Sequence, residues 1–326
     1  MFKAQLNQFG HPADSVSVIE LPDPGAPAAG QVLVKIQAAA INPAELLLIQ
    51  GKYASKPPLP APLGIEGAGE VAAVGAGVTD LSVGDKVMCL PRENWATQAL
   101  FDRGELIRLP AEIDIQQAAM LKVNPATALM MLRDYKPVSK GDWVIQNAAN
   151  SGVGQYLIRL AHARGIKTVC VVRRESLVAE LTAIGATLVV LDGPDLPERV
   201  RAAIDGPLPL AIDAIGGEAS FRLAGCLDEE GVVVNYGLLS GQNCQISADQ
   251  AIFKSISLVG FWLAKQLRQM DPAAVQSLYD ELSAQVADGT LKVPVEKAYP
   301  LTDIAKALDH ALQEGRSGKI LLAPSA

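Results

Sequence analysis

The spacing of apolar and polar positions changes character once along the chain. In the first third, apolar residues alternate over short stretches broken by Gly and Pro. Gln31–Ala40 puts Val32, Val34 and Ile36 at every second position, the period of a half-buried strand. Glu70–Gly75 and Lys86–Leu90 predict two more strands, with Val83-Gly84-Asp85 as the turn between them. Pro57–Pro62 (PPLPAP) cannot enter a helix or a central strand and predicts an exposed or gating loop.

From Gly141 the rhythm becomes strand–helix. Trp143–Asn147 is apolar, Gly152–Arg164 has helical spacing, and Lys167–Val172 is apolar again. Leu177–Ile184, Thr187–Leu191, Leu208–Asp213, Gly231–Tyr236 and Ser257–Gly260 continue the series. Strands alternating with helices predict parallel βαβ units, which cross over right-handedly into a doubly wound α/β sheet. After Asp271-Pro272 a helix is predicted to about Asp288, then strand, helix and strand over Val293–Pro300, Asp303–Gln313 and Lys319–Leu322. The economical organisation is one catalytic domain built from both chain ends, residues 1–121 plus 266–326. A nucleotide-binding domain, 122–265, would be inserted between them.

Composition narrows the function. Of 326 residues, 49% are hydrophobic and 19% charged, which excludes a disordered chain unable to bury a core. A net charge of -7 argues against nucleic-acid partners, whose phosphates need excess Lys and Arg. Cys89, Cys170, Cys226 and Cys244 form no Cys-x-x-Cys pair, and with His11, His162 and His310 they make neither a zinc-ligand cluster nor a disulfide framework. No apolar leader or membrane-length run is present, so a cytoplasmic location is expected and no membrane partner.

Candidate chemistry begins where the strand Trp143–Asn147 runs into Ala148-Ala149-Asn150-Ser151-Gly152-Val153-Gly154 and then a helix. Small residues let backbone N–H groups approach a pyrophosphate, and the helix N-terminus favours its charge. Ala149 and Ser151 replace two glycines of the dinucleotide fingerprint, but strand before and helix after supply its context. Val172 lies 18 residues after Gly154, near where an NAD-binding chain carries its ribose carboxylate. No acid stands there. Arg173 and Arg174 follow instead, forked cations suited to a 2′-phosphate, so NADPH is the expected cofactor.

Outside this region the chain resembles the medium-chain dehydrogenase/reductase superfamily. Pro62-Leu63-Gly64-Ile65-Glu66-Gly67-Ala68-Gly69 is similar to its Gly-His-Glu-x-x-Gly segment and Val83-Gly84-Asp85-Lys86-Val87 to its Gly-Asp-x-Val turn. The resemblance implies a Rossmann sheet inserted into a GroES-like, mainly β catalytic domain. Asn42, Ile65 and Val123 stand where the zinc-dependent members place metal ligands, and no structural-zinc lobe follows Met88–Trp95, so no metal is expected.

Within the zinc-free branch the nearest resemblance is to mitochondrial-type trans-2-enoyl thioester reductases. It rests on Asn42-Pro43-Ala44, Ile49–Tyr53, Val123–Ala128, Val144–Gln155, Phe261-Trp262-Leu263 and Ser317-Gly318-Lys319. Quinone oxidoreductases are the neighbouring family. The implied activity is NADPH-dependent reduction of the C=C bond of an enoyl-CoA or enoyl-acyl carrier protein. Quinone reduction, or NADPH binding without catalysis as in a crystallin-like protein, are the alternatives.

The resemblance also assigns roles. Tyr53 would be catalytic, donating to the developing enolate. Asn42 and Trp262 would line the substrate pocket, although Asn42 could equally satisfy loop backbone. Asn124, Tyr236, Gly237, Leu238, Leu239, Phe261, Trp262, Leu263 and Lys319 would join Asn150–Gly154 and Arg173/Arg174 around the cofactor. Glu66, without zinc to support, would make a salt bridge or a loop hydrogen bond, while His162 and His310 read as helix-surface residues. Lys52, Lys56, Lys254, Lys265 and Arg268 could receive carrier phosphates, and Ile246–Leu258 permits pairing of edge strands in a homodimer.

Overall fold

A computed structural model describes Met1–Ser325. The chain divides into two compact units, Met1–Val123 with the stretch from Asp271 to the C-terminus, and Asn124–Met270. The expected boundaries, after 121 and 265, are each moved toward the C-terminus. Pro272 opens a new helix, Pro272–Ala287, so the preceding helix, Leu263–Gln269, stays with the second unit.

The first unit is mainly β. Its larger sheet runs Val295–Pro300, Lys319–Ala323, Gln31–Ala40, Gly67–Val74, Lys86–Cys89 and Leu106–Arg108, with Gln98–Asp102 also pairing on Gln31–Ala40. Leu321 and Leu322 pair antiparallel with Ala40 and Ala39, so the two chain ends share one sheet. Val32, Val34 and Ile36 are fully buried, as their alternation requires, and the Trp95 indole donates to the Ala40 carbonyl at 3.2 Å. A smaller sheet joins Val16–Glu20, Phe2–Leu6 and Ala61–Pro62. The proline-rich loop therefore ends as a short edge strand, where a missing N–H costs no ladder bond.

The second unit holds six parallel strands in the order Leu188–Leu191, Lys167–Val172, Trp143–Gln146, Leu210–Asp213, Val232–Asn235 and Ser257–Gly260. The fourth starts at Leu210 rather than Leu208, because Pro209 has no N–H to give the ladder. Connections run outward from Trp143–Gln146 in one direction and then the other, which places the switch point at its carboxyl end. This is the Rossmann arrangement, and with the GroES-like β unit it makes the chain α/β.

Candidate active site

In the second unit the switch point is built by the predicted turn. The Ser151 side chain caps the Gly152–Ala163 helix by accepting from the Gly154 N–H at 3.1 Å. Gln146 and Gln155 clamp the turn from either side, donating to the carbonyls of Gly154 (3.0 Å) and Asn150 (3.1 Å). A Cβ on Gly154 would sit 2.5 Å from the Ala149 carbonyl oxygen, so helix and turn approach as closely as only glycine allows. Arg173 and Arg174 lie exposed at the end of Lys167–Val172 and form no ion pair among the described residues. A small-residue turn, a capped helix start and two uncommitted guanidiniums fit a phosphorylated dinucleotide.

The neighbouring strand ends carry a buried network. Asp213 is fully buried and accepts from Asn147 Nδ2 (2.5 Å), Asn235 Nδ2 (2.8 Å) and the N–H groups of Ile215 and Gly216. Asn147 Oδ1 in turn accepts from Ala214 N–H at 2.8 Å. Three strand termini are thereby locked together beside the phosphate turn. Tyr236 hydrogen-bonds Ser151, and burial pushes its phenol up to about 12, so it stays a neutral donor. Leu238 and Leu239 are exposed. Asn124 is buried at the head of the Asn124–Asp134 helix.

Phe261-Trp262-Leu263 separates by side chain. Phe261 is buried with its ring edge-on to Tyr135, centroids 6.2 Å apart, and Leu263 is buried too. Both side chains pack inside the second unit. Trp262 alone is exposed, at 37%, with the Arg268 guanidinium 5.2 Å from its ring centroid.

In the first unit, Asn42 caps the Pro43–Ile49 helix and is itself buried. Its Nδ2 donates to Glu66 at 2.6 Å, and its Oδ1 accepts from Lys319 Nζ at 2.7 Å. Glu66 also accepts from the Val123 N–H at 2.8 Å. Lys319, expected near the cofactor, donates from its ammonium to Asn42 and to the Ile41 carbonyl. Asn42 too spends both ends of its amide within the fold. Burial pushes Glu66 up and Lys319 down, while each one's charge pulls the other back.

Two residues that sequence reasoning missed complete this network. Glu45, three residues after Asn42, accepts from the N–H groups of Asn42 (2.9 Å) and Ile65 (2.6 Å), and burial lifts its carboxyl to about 7. Lys122 Nζ donates to the carbonyls of Ile65 and Leu90, and burial lowers it to about 8. The Asn-Pro-x-Glu spacing was a readable capping box. Nothing local marks Lys122.

Tyr53 is half-buried against the core of the first unit. His310 is not a loose surface residue: its ring bridges Tyr299 OH and Glu296, each at 2.9 Å. His162 stays exposed, as expected. Of the five basic residues, Lys52 and Lys56 belong to one unit and Lys254, Lys265 and Arg268 to the other.

Family models match twice. Residues 28–105 match the alcohol dehydrogenase GroES-like domain, and residues 152–280 match the zinc-binding dehydrogenase family. Mitochondrial enoyl-[acyl-carrier-protein] reductases are similar over nearly the whole chain. The Bos taurus protein is 39% identical over 96% of this chain and 87% of its own, and the Homo sapiens protein 38% over the same shares. Among solved structures, the Etr1p/NADP/crotonyl-CoA complex superposes with a TM-score of 0.89 at 28% identity, covering 99% of both chains. Escherichia coli quinone oxidoreductase complexed with NADPH gives 0.87 at 26%, covering 99% and 100%. These curated relatives are mitochondrial, which overturns the expected cytoplasmic location. Sparse, unpaired cysteines fit any reducing compartment and could not tell the two apart.

Proposed function

Because the chain belongs to the enoyl reductase family of the medium-chain dehydrogenases/reductases and is an NADPH-dependent oxidoreductase, we propose that it reduces the C=C bond of 2-enoyl thioesters. Bound NADPH would supply a hydride to Cβ. Uptake of a proton at Cα completes the saturated acyl thioester and leaves NADP⁺.

The chain's own residues have distinct tasks. Gly152–Gly154 and the capped helix start receive the pyrophosphate, and Arg173 and Arg174 receive the 2′-phosphate. Tyr236, held neutral by burial, orients Ser151 in that turn. The Tyr53 phenol donates to the thioester oxygen as negative charge develops there. Hydrogen bonding replaces a Lewis acid in this reading. It is supported by the donor set: Ile65 offers no ligand atom from its side chain, the Asn42 amide is occupied at both ends, and no cluster of three or more His, Cys, Asp or Glu among the described residues could hold a metal.

The observation that carries the cofactor assignment is the pair of exposed arginines beyond the turn, which form no ion pair among the described residues. The exposed Ile252 and Phe253 beside the edge strand Ser257–Gly260 support a dimer through that edge. The test is NADPH oxidation with crotonyl-CoA or a crotonyl-acyl carrier protein, run beside phenanthrenequinone, on wild type and Tyr53→Phe. Expected are thioester turnover and a fall of about 10²–10³ in kcat for the variant. Quinone turnover without thioester turnover refutes the reading.

A further inference from the structure

Asn42, Ile65 and Val123 come from three separate segments and stand where zinc-dependent relatives of this fold place ligands. In this chain each is gripped by a buried charge. Glu45 accepts from the N–H groups of Asn42 and Ile65, and Glu66 accepts from the Asn42 amide and the Val123 N–H. Lys122 donates to the Ile65 carbonyl at 2.6 Å, and Lys319 to Asn42 Oδ1. The backbone of Lys122 is fixed as well, its carbonyl accepting from the buried Tyr279 phenol at 3.0 Å. Two carboxylates and two ammoniums thus tie the three positions together.

We propose that this Glu45–Glu66–Lys122–Lys319 quartet does the crosslinking that a metal does elsewhere in the fold, and that Glu66 is a positioning residue for the Tyr53 phenol. Glu66 reaches that phenol through the helix whose N-terminus it anchors. Asn42 and Glu45 are the cap and third residue of Pro43–Ile49. At the other end of that helix, Gly51 turns the chain at φ 71°, its N–H donating to Leu48 O (2.9 Å) while Lys52 N–H donates to Leu47 O (2.8 Å). Tyr53 follows two residues after this turn, so a one-ångström shift at the anchored end of the helix passes through the hydrogen-bonded Gly51 turn to the residue that carries the phenol. Misplacement on that scale costs about 10²-fold in rate. Each carboxyl is held by hydrogen bonds from Asn42, Ile65 and Val123, and the positive charges of Lys319 and Lys122 act on Glu66 across the cluster without a direct ion pair among the described residues.

The inference rests on the reading of Tyr53 as donor, and a kinetic cycle separates the two. With crotonyl-CoA and NADPH, Glu66→Gln is expected to lower kcat about 10- to 100-fold with KM for NADPH changed less than about threefold. In a Tyr53→Phe background the same substitution is expected to cost less than about threefold, since no phenol remains to be placed. An equal loss in both backgrounds, or no loss in either, overturns the inference while leaving Tyr53 as donor intact. Wild-type kcat in Tyr53→Phe overturns both. Should Glu66→Gln fail to fold, the charge-balanced Glu66→Gln/Lys319→Met enzyme is put through the same cycle and must show the same non-additivity. Stoichiometric zinc in the isolated wild-type protein, with activity lost on chelation and restored by zinc, also overturns it.

Discussion

Replacing Glu45 by Gln tests the energetics of the buried quartet. In the unfolded chain this carboxyl ionises near 4.5, and in the fold, burial with the neighbouring Glu66 charge lifts it to about 7, against the pull of two N–H donors and Lys319. The folded state therefore binds this proton more tightly. Its contribution to stability is fully present below pH 4.5, fades as pH rises, and is gone once pH passes 7. At about 1.4 kcal/mol per pH decade, the gap amounts to about 3 kcal/mol, of which about 2–3 falls between pH 5 and pH 8. Gln cannot titrate. It has one acceptor for the N–H groups of Asn42 and Ile65, so at pH 5 it should be less stable than wild type by about 1–3 kcal/mol. At pH 8 most of that difference should vanish, because only wild type then carries the extra buried charge. Urea denaturation of both proteins at the two pH values, read from the fluorescence of Trp95 with Trp143 and Trp262 replaced by Phe, measures this. A stability difference that is the same at pH 5 and pH 8 refutes the titration of Glu45 inside the fold.

Arg173→Ala combined with Arg174→Ala should raise KM for NADPH by at least about tenfold while leaving KM for NADH unchanged, since each guanidinium–phosphate contact is a charge-assisted bond. Steady-state kinetics with both cofactors decide it, and equal changes for the two would remove the arginines from the 2′-phosphate. Gly154→Ala forces a methyl to 2.5 Å from the Ala149 carbonyl oxygen, so fluorescence titration should show NADPH affinity lost before the second unit melts. Asp213→Ala removes the carboxylate that accepts from the buried Asn147 amide and from the N–H groups of Ile215 and Gly216, and should cost about 3 kcal/mol or more, visible as a lowered melting temperature that saturating NADPH only partly restores.

Much of the fold was legible because it is written in local period. Gln31–Ala40, Lys167–Val172 and Ser257–Gly260 have the bounds that their alternation or apolar run predicted. The strand–turn–helix at residues 148–154 was legible for the same reason: small residues, strand before and helix after form one contiguous stretch. What local period does not specify is where a side chain points once the sheet has formed. Phe261 and Trp262 are neighbours in sequence, yet one ring is buried against Tyr135 and the other lies exposed under Arg268.

The sequence by itself determined the two kinds of architecture, the insertion of one into the other, and the strand–turn–helix at residues 148–154, because hydrophobic period and turn chemistry act between near neighbours. Only the tertiary structure decided that Asn42, Glu45, Glu66, Lys122 and Lys319 form one charged cluster. Asn42 and Lys319 lie 277 positions apart and meet because Lys319–Ala323 pairs with Gln31–Ala40. No local pattern encodes that meeting. It follows from sheet closure, and the cost of burying a charge then obliges each of those groups to find hydrogen-bond partners.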